Sequence, residues 1–107
     1  MKRYDIYFAR LNPVEGSEIG KTRPVVIVGD DLRNRLLQTV VVCPLTSQLH
    51  PQWCSRLSVR CVGKPAEIAV DQIRVVSKSR LTRKIDQLSG PAAEALRRLI
   101  SEMYGES

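Results

Sequence analysis

The sequence is poor in the residues from which metal sites and disulfide frameworks are built. Its 107 residues include three cysteines, Cys43, Cys54 and Cys61, and a single histidine, His50. An odd number of cysteines without C-x-x-C spacing gives neither a disulfide framework nor a zinc site, so we expect buried free thiols in a reducing cytoplasm. One histidine supplies neither a metal cluster nor a histidine acid–base pair. The sequence therefore predicts no metal and no other cofactor.

Long apolar runs and glycine-rich phosphate loops are also missing. No stretch approaches the ~20 apolar residues of a membrane span. Asp5 and Arg10 interrupt the N-terminal segment, so it lacks the apolar region of a signal peptide. We therefore expect no membrane association and a cytoplasmic protein. Gly16 and Gly20 lie between two predicted strands instead of opening a helix, which excludes a P-loop or Rossmann phosphate site.

What the chain does have is an excess of positive charge. It carries 17 Lys and Arg residues against 11 Asp and Glu residues, a net charge of +6, in a mass of 12.0 kDa. This length corresponds to one domain, which we place over residues 1–107. The basic balance favours a polyanionic partner, most often a nucleic acid.

Short strands are predicted over most of the chain. Some segments alternate apolar and polar side chains, as half-buried strands do; one of them places Leu57 and Val59 inward and Arg56 and Arg60 outward. Other segments are continuous β-branched runs, which are typical of strands covered on both faces. The predicted strands cover residues 3–11, 24–29, 38–45, 56–62 and 67–76, the last as one long strand or two short ones.

The hydrophobic period changes near the C-terminus. A short basic helix with a solvated face is predicted around residues 79–84. A second helix begins at Ser89 or Gly90 and ends at Gly105. Its apolar residues share one face that packs on the strands: Ala92, Leu96, Leu99, Ile100 and Met103. The fold is thus mainly β with a C-terminal helix, as a small barrel or curled antiparallel sheet.

Arginine and a hydroxyl are the chemical groups that remain for an anionic substrate. Arg23 precedes a predicted buried strand, and its guanidinium fork suits a phosphate bidentately. Thr46 ends the next buried strand. If these two strands pair, Arg23 and Thr46 lie near each other at the rim of the sheet, where one offers charge and the other a hydroxyl.

Three motifs follow one another at short spacing. They are G-S-E-x-G-x-x-R-P before an apolar strand, P-L-T-S one strand later, and D-Q-I-R after that. In this order they resemble the MazF/PemK (Kid) family of toxin endoribonucleases, and the resemblance extends from Tyr4 to the last helix. It implies a small SH3-like β-barrel that forms a homodimer.

The resemblance also implies an activity and partners. Members of the family cleave single-stranded RNA, including mRNA, at a short sequence, independently of the ribosome and without a metal ion. The RNA 2′-OH attacks the adjacent phosphate, which leaves a 2′,3′-cyclic phosphate and a 5′-OH. A labile antitoxin covers the RNA groove with an acidic or apolar C-terminal segment. The family's catalytic arginine falls on Arg23 of this sequence, its catalytic threonine on Thr46, and its loop glutamate on Glu18.

The group that accepts the 2′-OH proton stays open between three residues. Arg23 is a poor base because the pKa of an arginine exceeds ~12. Glu18 and Asp71 are the available carboxylates. Some relatives carry an arginine two residues before the carboxylate that matches Asp71, and this chain has Ala69 there. Asp71 is therefore either a residue of the site or a cap of the turn between two half-strands.

Several basic, polar and aromatic residues are candidates for RNA binding. Basic side chains meet phosphates, and an aromatic ring stacks on an unpaired base. Trp53, the only tryptophan, either stacks on RNA or plugs one end of the barrel. The candidates are Lys21, Ser47, Gln48, Trp53, Arg56, Asp71, Gln72 and Arg74.

Two other functions are compatible with such a barrel. One is a non-catalytic inhibitor similar to the CcdB-type gyrase poisons, which act through a helix ending in Trp-Gly-Ile. This chain ends in Met-Tyr-Gly-Glu-Ser, which disfavours that function. The other is a barrel that binds RNA or DNA without cutting it. The sequence does not determine which RNA sequence is recognised.

Overall fold

The computed structural model describes residues 1–106. Within them the chain forms seven strands and two α-helices: β1 (Asp5–Arg10), β2 (Thr22–Ile27), α1 (Asp31–Leu36), β3 (Thr39–Thr46), β4 (Arg56–Cys61), β5 (Lys64–Ala69), β6 (Arg74–Ser77), β7 (Leu81–Gln87) and α2 (Gly90–Tyr104). None of the helices in this described part is both long and apolar enough to cross a membrane.

One curled antiparallel sheet holds all seven strands. Its order is β4-β5-β3-β2-β1-β7, and β6 pairs with β3 outside this path. One edge of β3 pairs with β2. Along its other edge, the first half of β3 pairs with β6 and the last two residues of β3 pair with β5. The 3₁₀ turn Val70–Gln72 separates β5 from β6, so the segment 67–76 forms two short strands. The prediction of a mainly β fold with a C-terminal helix is confirmed.

Apolar clusters cover both faces of the central strands. Neighbouring residues of β2 illustrate this, because Val26 belongs to one cluster and Val25 to the other. The first cluster lies under α2 and includes Ile6, Cys43, Leu45, Ile68 and Leu96. The second includes Ala9, Leu11, Ile27, Val40, Val42 and Val76. Continuous β-branched runs form β2 and β3 because each face of these strands needs apolar side chains.

Helix α2 begins and ends where the sequence predicts. The Ser89 hydroxyl accepts a hydrogen bond from Ala92 N at 3.3 Å, and the N–H of Gly105 donates to Ser101 O at 2.9 Å. Leu96 is fully buried against the strands. The predicted apolar stripe, Ala92, Leu96, Leu99, Ile100 and Met103, packs as one face on the first cluster.

The helix predicted at 79–84 is wrong. A 3₁₀ turn, Lys78–Arg80, leads directly into β7, which pairs with β1. Leu81 and Ile85 are four residues apart, a spacing that fits one helix face and also one strand face. The segment forms a strand because the edge of β1 that does not face β2 has backbone N–H and C=O groups that need hydrogen-bond partners. The basic side chains of this segment therefore lie on a strand.

Helix α1 was not predicted, and it lies in a segment expected to be only a connection. Asp30 caps it, accepting a hydrogen bond from Arg33 N at 2.8 Å. Hydrogen bonds from the Arg33 backbone and side chain lower the pKa of Asp30. The buried Asn34 amide donates to Gly29 O at 2.9 Å. Aspartate before a short helical turn is the signal that identifies this helix.

A tight hairpin joins β4 to β5 and meets β7. Its two turn residues, Val62 and Gly63, have φ angles of 51° and 75°, as a type I′ turn requires. The predicted strand 56–62 thus ends one residue earlier, and Lys64 already belongs to β5. The Asp86 carboxylate of β7 accepts a hydrogen bond from Val62 N at 2.7 Å. This bond, with a second from Gln87 N, lowers the pKa of Asp86.

Truncation of Leu96 tests the packing of α2. We expect Leu96→Ala to lower the free energy of unfolding by about 2–5 kcal/mol, because it leaves a cavity between the helix and the strands. Urea denaturation followed by circular dichroism measures this change. Arg97→Ala, at an exposed position one residue away, is the control and should change stability by less than about 0.5 kcal/mol. An equal effect of the two substitutions would show that α2 does not dock through Leu96.

Candidate active site

The pairing of β2 with β3 brings Arg23 and Thr46 together. The pairing ends at Val25 and Pro44. The same register continued by two residues puts Arg23 opposite Thr46. Residues opposite each other on antiparallel strands project from the same face of the sheet, with Cβ atoms about 5 Å apart. Both residues line one cleft of about 220 Å³, which we call the cleft. The conditional prediction that these residues meet at the rim is confirmed.

Arg23 is held at the edge of the cleft by its own loop. Its Nε donates a hydrogen bond to Gly20 O at 2.9 Å, and the side chain is partly buried. This bond uses one nitrogen of the guanidinium and leaves the two terminal nitrogens for an anion. A guanidinium fixed in this way can bind two phosphate oxygens at once.

Thr46 offers a hydroxyl whose orientation is fixed. The residue is 7% exposed, and its Oγ1 accepts a hydrogen bond from Gln48 N at 3.1 Å. A threonine hydroxyl accepts two hydrogen bonds and donates one. The bond from Gln48 therefore leaves the O–H of Thr46 for a substrate oxygen. Thr46 and Arg23 together form a pair of donors that suits a phosphate.

A thiol in the same cleft stays neutral. Cys61 lines the cleft, and burial, followed by the nearby Asp86 carboxylate, raises its pKa. Burial raises the pKa of Cys43 to about 12, with a smaller contribution from Asp71. Neither is a thiolate nucleophile at neutral pH. The expectation of buried thiols holds for these two and is wrong for Cys54, which is exposed in the β3–β4 loop.

Glu18 lies outside the cleft. It lines a separate depression of about 170 Å³, which we call the hollow, together with Asp71, Gln72 and Arg74. The Glu18 carboxylate accepts a hydrogen bond from Glu15 N within the β1–β2 loop at 2.5 Å. The hollow thus brings together the loop glutamate and the D-Q-I-R motif, and it contains both candidate carboxylates.

The hollow and the cleft are joined through two successive loop residues. Gln72 Oε1 accepts a hydrogen bond from Ile19 N at 2.6 Å, which docks the loop on the hollow. The next residue, Gly20, accepts the hydrogen bond from Arg23 in the cleft. Arg74 supports the start of the loop, because its Nη1 donates to Leu11 O at 3.4 Å. The loop therefore connects Arg23 at the cleft to the two carboxylates of the hollow.

Arg56 does not project outward as predicted. Its side chain is 7% exposed and its Nη1 lies 3.3 Å from Oε1 of Glu67, which is 1% exposed. Its Nε lies 3.7 Å from Asp71 Oδ1 and, among the described residues, has no hydrogen-bond partner. A buried carboxylate needs a charged partner, and Glu67 turns Arg56 inward.

Glu67 is a residue of this region that the sequence did not single out. Its signal is a lone carboxylate between apolar strand residues, Ala66 and Ile68. Glu67 pairs directly with Thr46 across β5 and β3. Both of its oxygens accept from His50 N at 2.9 Å. It therefore fixes the β3–β4 loop beside the cleft.

Trp53 does not plug the barrel. It is 46% exposed in the β3–β4 loop, where its ring stacks on His50. Lys21, Ser47 and Gln48 are also exposed.

Within residues 1–106, no three His, Cys, Asp or Glu side chains gather as metal ligands. Asp71 makes no side-chain cap of its 3₁₀ turn, so the capping interpretation is wrong.

Known proteins with a similar sequence or structure fall in one group. The chain is 38% identical over 93 residues to Endoribonuclease EndoA of Bacillus subtilis. The aligned region covers 82% of this chain and 80% of that protein. Its fold is similar to a crystal structure of MazF from Deinococcus radiodurans, with a TM-score of 0.86, 17% identity, and 99% and 97% of the two chains covered.

A second structure is an endoribonuclease in complex with its cognate antitoxin from a mycobacterial species. It has a TM-score of 0.83 and 17% identity, and the similarity covers 100% of this chain and 97% of that one. At such identities the two structures establish the fold, and the sequence relative adds the family. The family described as "PemK-like, MazF-like toxin of type II toxin-antitoxin system" matches residues 2–104. The chain belongs to this family.

Proposed function

We propose that the chain is an endoribonuclease toxin that cleaves single-stranded RNA at a specific sequence in the cleft, independently of the ribosome and without a metal ion. The observation that supports this is the pairing of β2 with β3, because Arg23 and Thr46 line one cleft at the end of this pairing. The name of the Bacillus relative, an endoribonuclease, supports the same reaction.

The reaction is an internal transfer of the phosphate. The RNA 2′-OH attacks the adjacent phosphorus, and the bond from phosphorus to the 5′ oxygen breaks. The departing oxygen takes a proton from water, so the products are a 2′,3′-cyclic phosphate and a 5′-OH. Negative charge grows on the equatorial phosphate oxygens during the attack. Fixed donors aimed at these oxygens lower the barrier. Arg23 supplies a charged fork for this purpose, and Thr46 supplies a hydroxyl.

The proton of the attacking 2′-OH goes to a carboxylate of the hollow. An arginine side chain in a protein has no free lone pair to accept a proton, so Arg23 is not the acceptor. Glu18 and Asp71 both line the hollow, and the loop that carries Glu18 also holds Arg23 through Gly20. An RNA strand that runs from the cleft to the hollow would place its 2′-OH near one of them. The pH dependence of cleavage in variants of each carboxylate distinguishes the two.

Binding of the strand uses residues around both depressions. Lys21, Ser47 and Gln48 are exposed, and Ser47 lines the cleft. Gln72 and Arg74 line the hollow and hold the loop over it. The net charge of +6 attracts the phosphates.

The proposed partners follow from the relatives and the charge. We place the toxin in the cytoplasm, where its mRNA substrate is found, and we expect a homodimer whose doubled charge forms a basic groove. The mycobacterial endoribonuclease forms a complex with its cognate antitoxin, and we expect an antitoxin of this chain to compete with RNA for the groove. An acidic segment of the antitoxin suits a surface of this charge.

Cleavage in the presence of EDTA tests the function. We expect the purified protein to cut a long single-stranded RNA into discrete fragments with 5′-OH ends, because none of its proposed steps needs a metal. Arg23→Ala should slow cleavage about 10²–10³-fold while circular dichroism stays unchanged. Intact RNA after incubation with folded wild-type protein would favour a barrel that binds nucleic acid without cutting it.

Replacement of Thr46 separates chemistry from binding. We expect Thr46→Val to lower kcat about 10²-fold with little change in KM, because it removes a donor that acts in the transition state. Thr46→Ser keeps the hydroxyl and is the matched control. Single-turnover cleavage of a short RNA gives both constants. A rise in KM with kcat unchanged would assign Thr46 to binding instead.

The pH profile identifies the proton acceptor. A general base must be deprotonated to act, so the rate rises with pH as the base loses its proton. We expect one of the variants Glu18→Gln and Asp71→Asn to lower kcat about 10²–10⁴-fold and to abolish this rise, and the other to keep it. Retention of the rise in both variants would exclude the two carboxylates as the base.

A further inference from the structure

The β3–β4 loop carries an aromatic stack that the proposed chemistry does not use. The rings of His50 and Trp53 are nearly parallel, with 7° between their planes and 3.8 Å between their centroids. The guanidinium carbon of Arg56 lies 4.8 Å from the centroid of the Trp53 ring. We call these three residues the loop stack. Nearly half of Trp53 remains open to solvent, so the stack displays a large aromatic surface outside the core.

The buried Glu67 carboxylate holds the loop stack in place. The Glu67 carboxylate accepts hydrogen bonds from the backbone of His50 and pairs with Arg56. Arg56 also donates to Gln48 O at 3.4 Å. One buried carboxylate thus holds both the histidine that stacks on Trp53 and the guanidinium that lies over it. A preorganised surface binds with a smaller loss of conformational entropy.

The position of the loop stack follows from the strand register. Glu67 lies opposite Thr46 on neighbouring strands, with Cβ atoms about 5 Å apart. Continued by two residues, the β2–β3 register makes Arg23, Thr46 and Glu67 a row across β2, β3 and β5, and the loop stack contacts this row at Glu67. A strand of RNA bound in the cleft would bring a neighbouring nucleotide to the loop stack.

We propose that the loop stack binds an unpaired base next to the scissile phosphate and thereby fixes the register of the RNA in the cleft. This inference rests on the proposed RNA cleavage. Aromatic side chains hold single-stranded nucleic acid by stacking on its bases, and a guanidinium adds to the attraction. Stacking accepts any of the four bases, so the loop stack fixes position and leaves base selection to other contacts. Arg56 serves RNA through Trp53 and not as a phosphate ligand.

Kinetics of Trp53 variants test the proposal. We expect Trp53→Ala to raise KM for RNA about 5- to 150-fold with little change in kcat, the effect of losing one stacked base. Trp53→Phe keeps a ring and should restore most of the affinity. Leu49→Ala, an exposed position in the same loop, is the matched control and should leave KM unchanged. Thermal denaturation verifies that each variant folds; if Trp53→Ala does not, His50→Ala replaces it.

Fluorescence gives a readout that does not depend on cleavage. Trp53 is the only tryptophan, so its emission reports on the loop stack alone. We expect a short 2′-O-methyl oligonucleotide, which lacks the attacking hydroxyl, to change this emission on binding. An abasic oligonucleotide of the same length should not, since it has phosphates but no bases.

The outcomes separate the two hypotheses. Wild-type cleavage together with an unchanged KM in Trp53→Ala, or equal emission changes with the two oligonucleotides, would overturn the loop stack and leave the RNase intact. If Trp53→Ala leaves the KM for RNA unchanged but weakens the binding of an antitoxin, the loop stack binds a protein, and the proposal is overturned. Wild-type protein that binds the base-bearing oligonucleotide through Trp53 but cuts no RNA would overturn the RNase and support the stack.

Discussion

The antiparallel pairing of β2 with β3 is the constraint on which the rest of the molecule depends. Both faces of these two strands lie under apolar clusters, so a slip by one residue would move Val26 out of its cluster and bury its neighbours on the wrong side. Arg23 and Thr46 line one cleft at the end of this pairing. The two residues proposed for the chemistry therefore hold their relative position because the core does, and the loops only complete the cleft around them.

A buried ion pair organises the β3–β4 loop and its contact with the hollow. Glu67 and Arg56 are almost fully enclosed, and removal of two charges from water costs energy that their attraction offsets only with good geometry. Among the described residues Arg56 Nε is buried without a hydrogen-bond partner, so the compensation is incomplete. Such a pair contributes little to stability but permits few alternative arrangements of the segments around it. In this chain it fixes the β3–β4 loop, and through Asp71 it reaches the hollow.

The sequence predicts the parts of this arrangement that depend on local pattern. Alternation, β-branched runs and the Ser89 cap are sufficient for the strands and α2, and family motifs point to Arg23 and Thr46. Side chains that act across strands are harder to foresee, because the partner of Glu67 depends on the register of three strands. The inward turn of Arg56 follows from that partner and contradicts the simple alternation of β4. The segment 79–84 shows a similar limit, since the open edge of β1, and not its own period, makes it a strand.

The hydrogen bond between Val62 N and the Asp86 carboxylate is an acid-sensitive contact between the β4–β5 hairpin and β7. The pKa of Asp86 is lowered in the folded chain, so the bond stabilises the fold above the ordinary pKa of an aspartate and is lost as the pH falls through the lowered value. Val62 lines the cleft, and β7 lies at the end of the strand order opposite to β4. At a pH low enough to protonate Asp86, the contact between β7 and the β4–β5 hairpin loses this hydrogen bond, and the wall of the cleft that Val62 forms loosens.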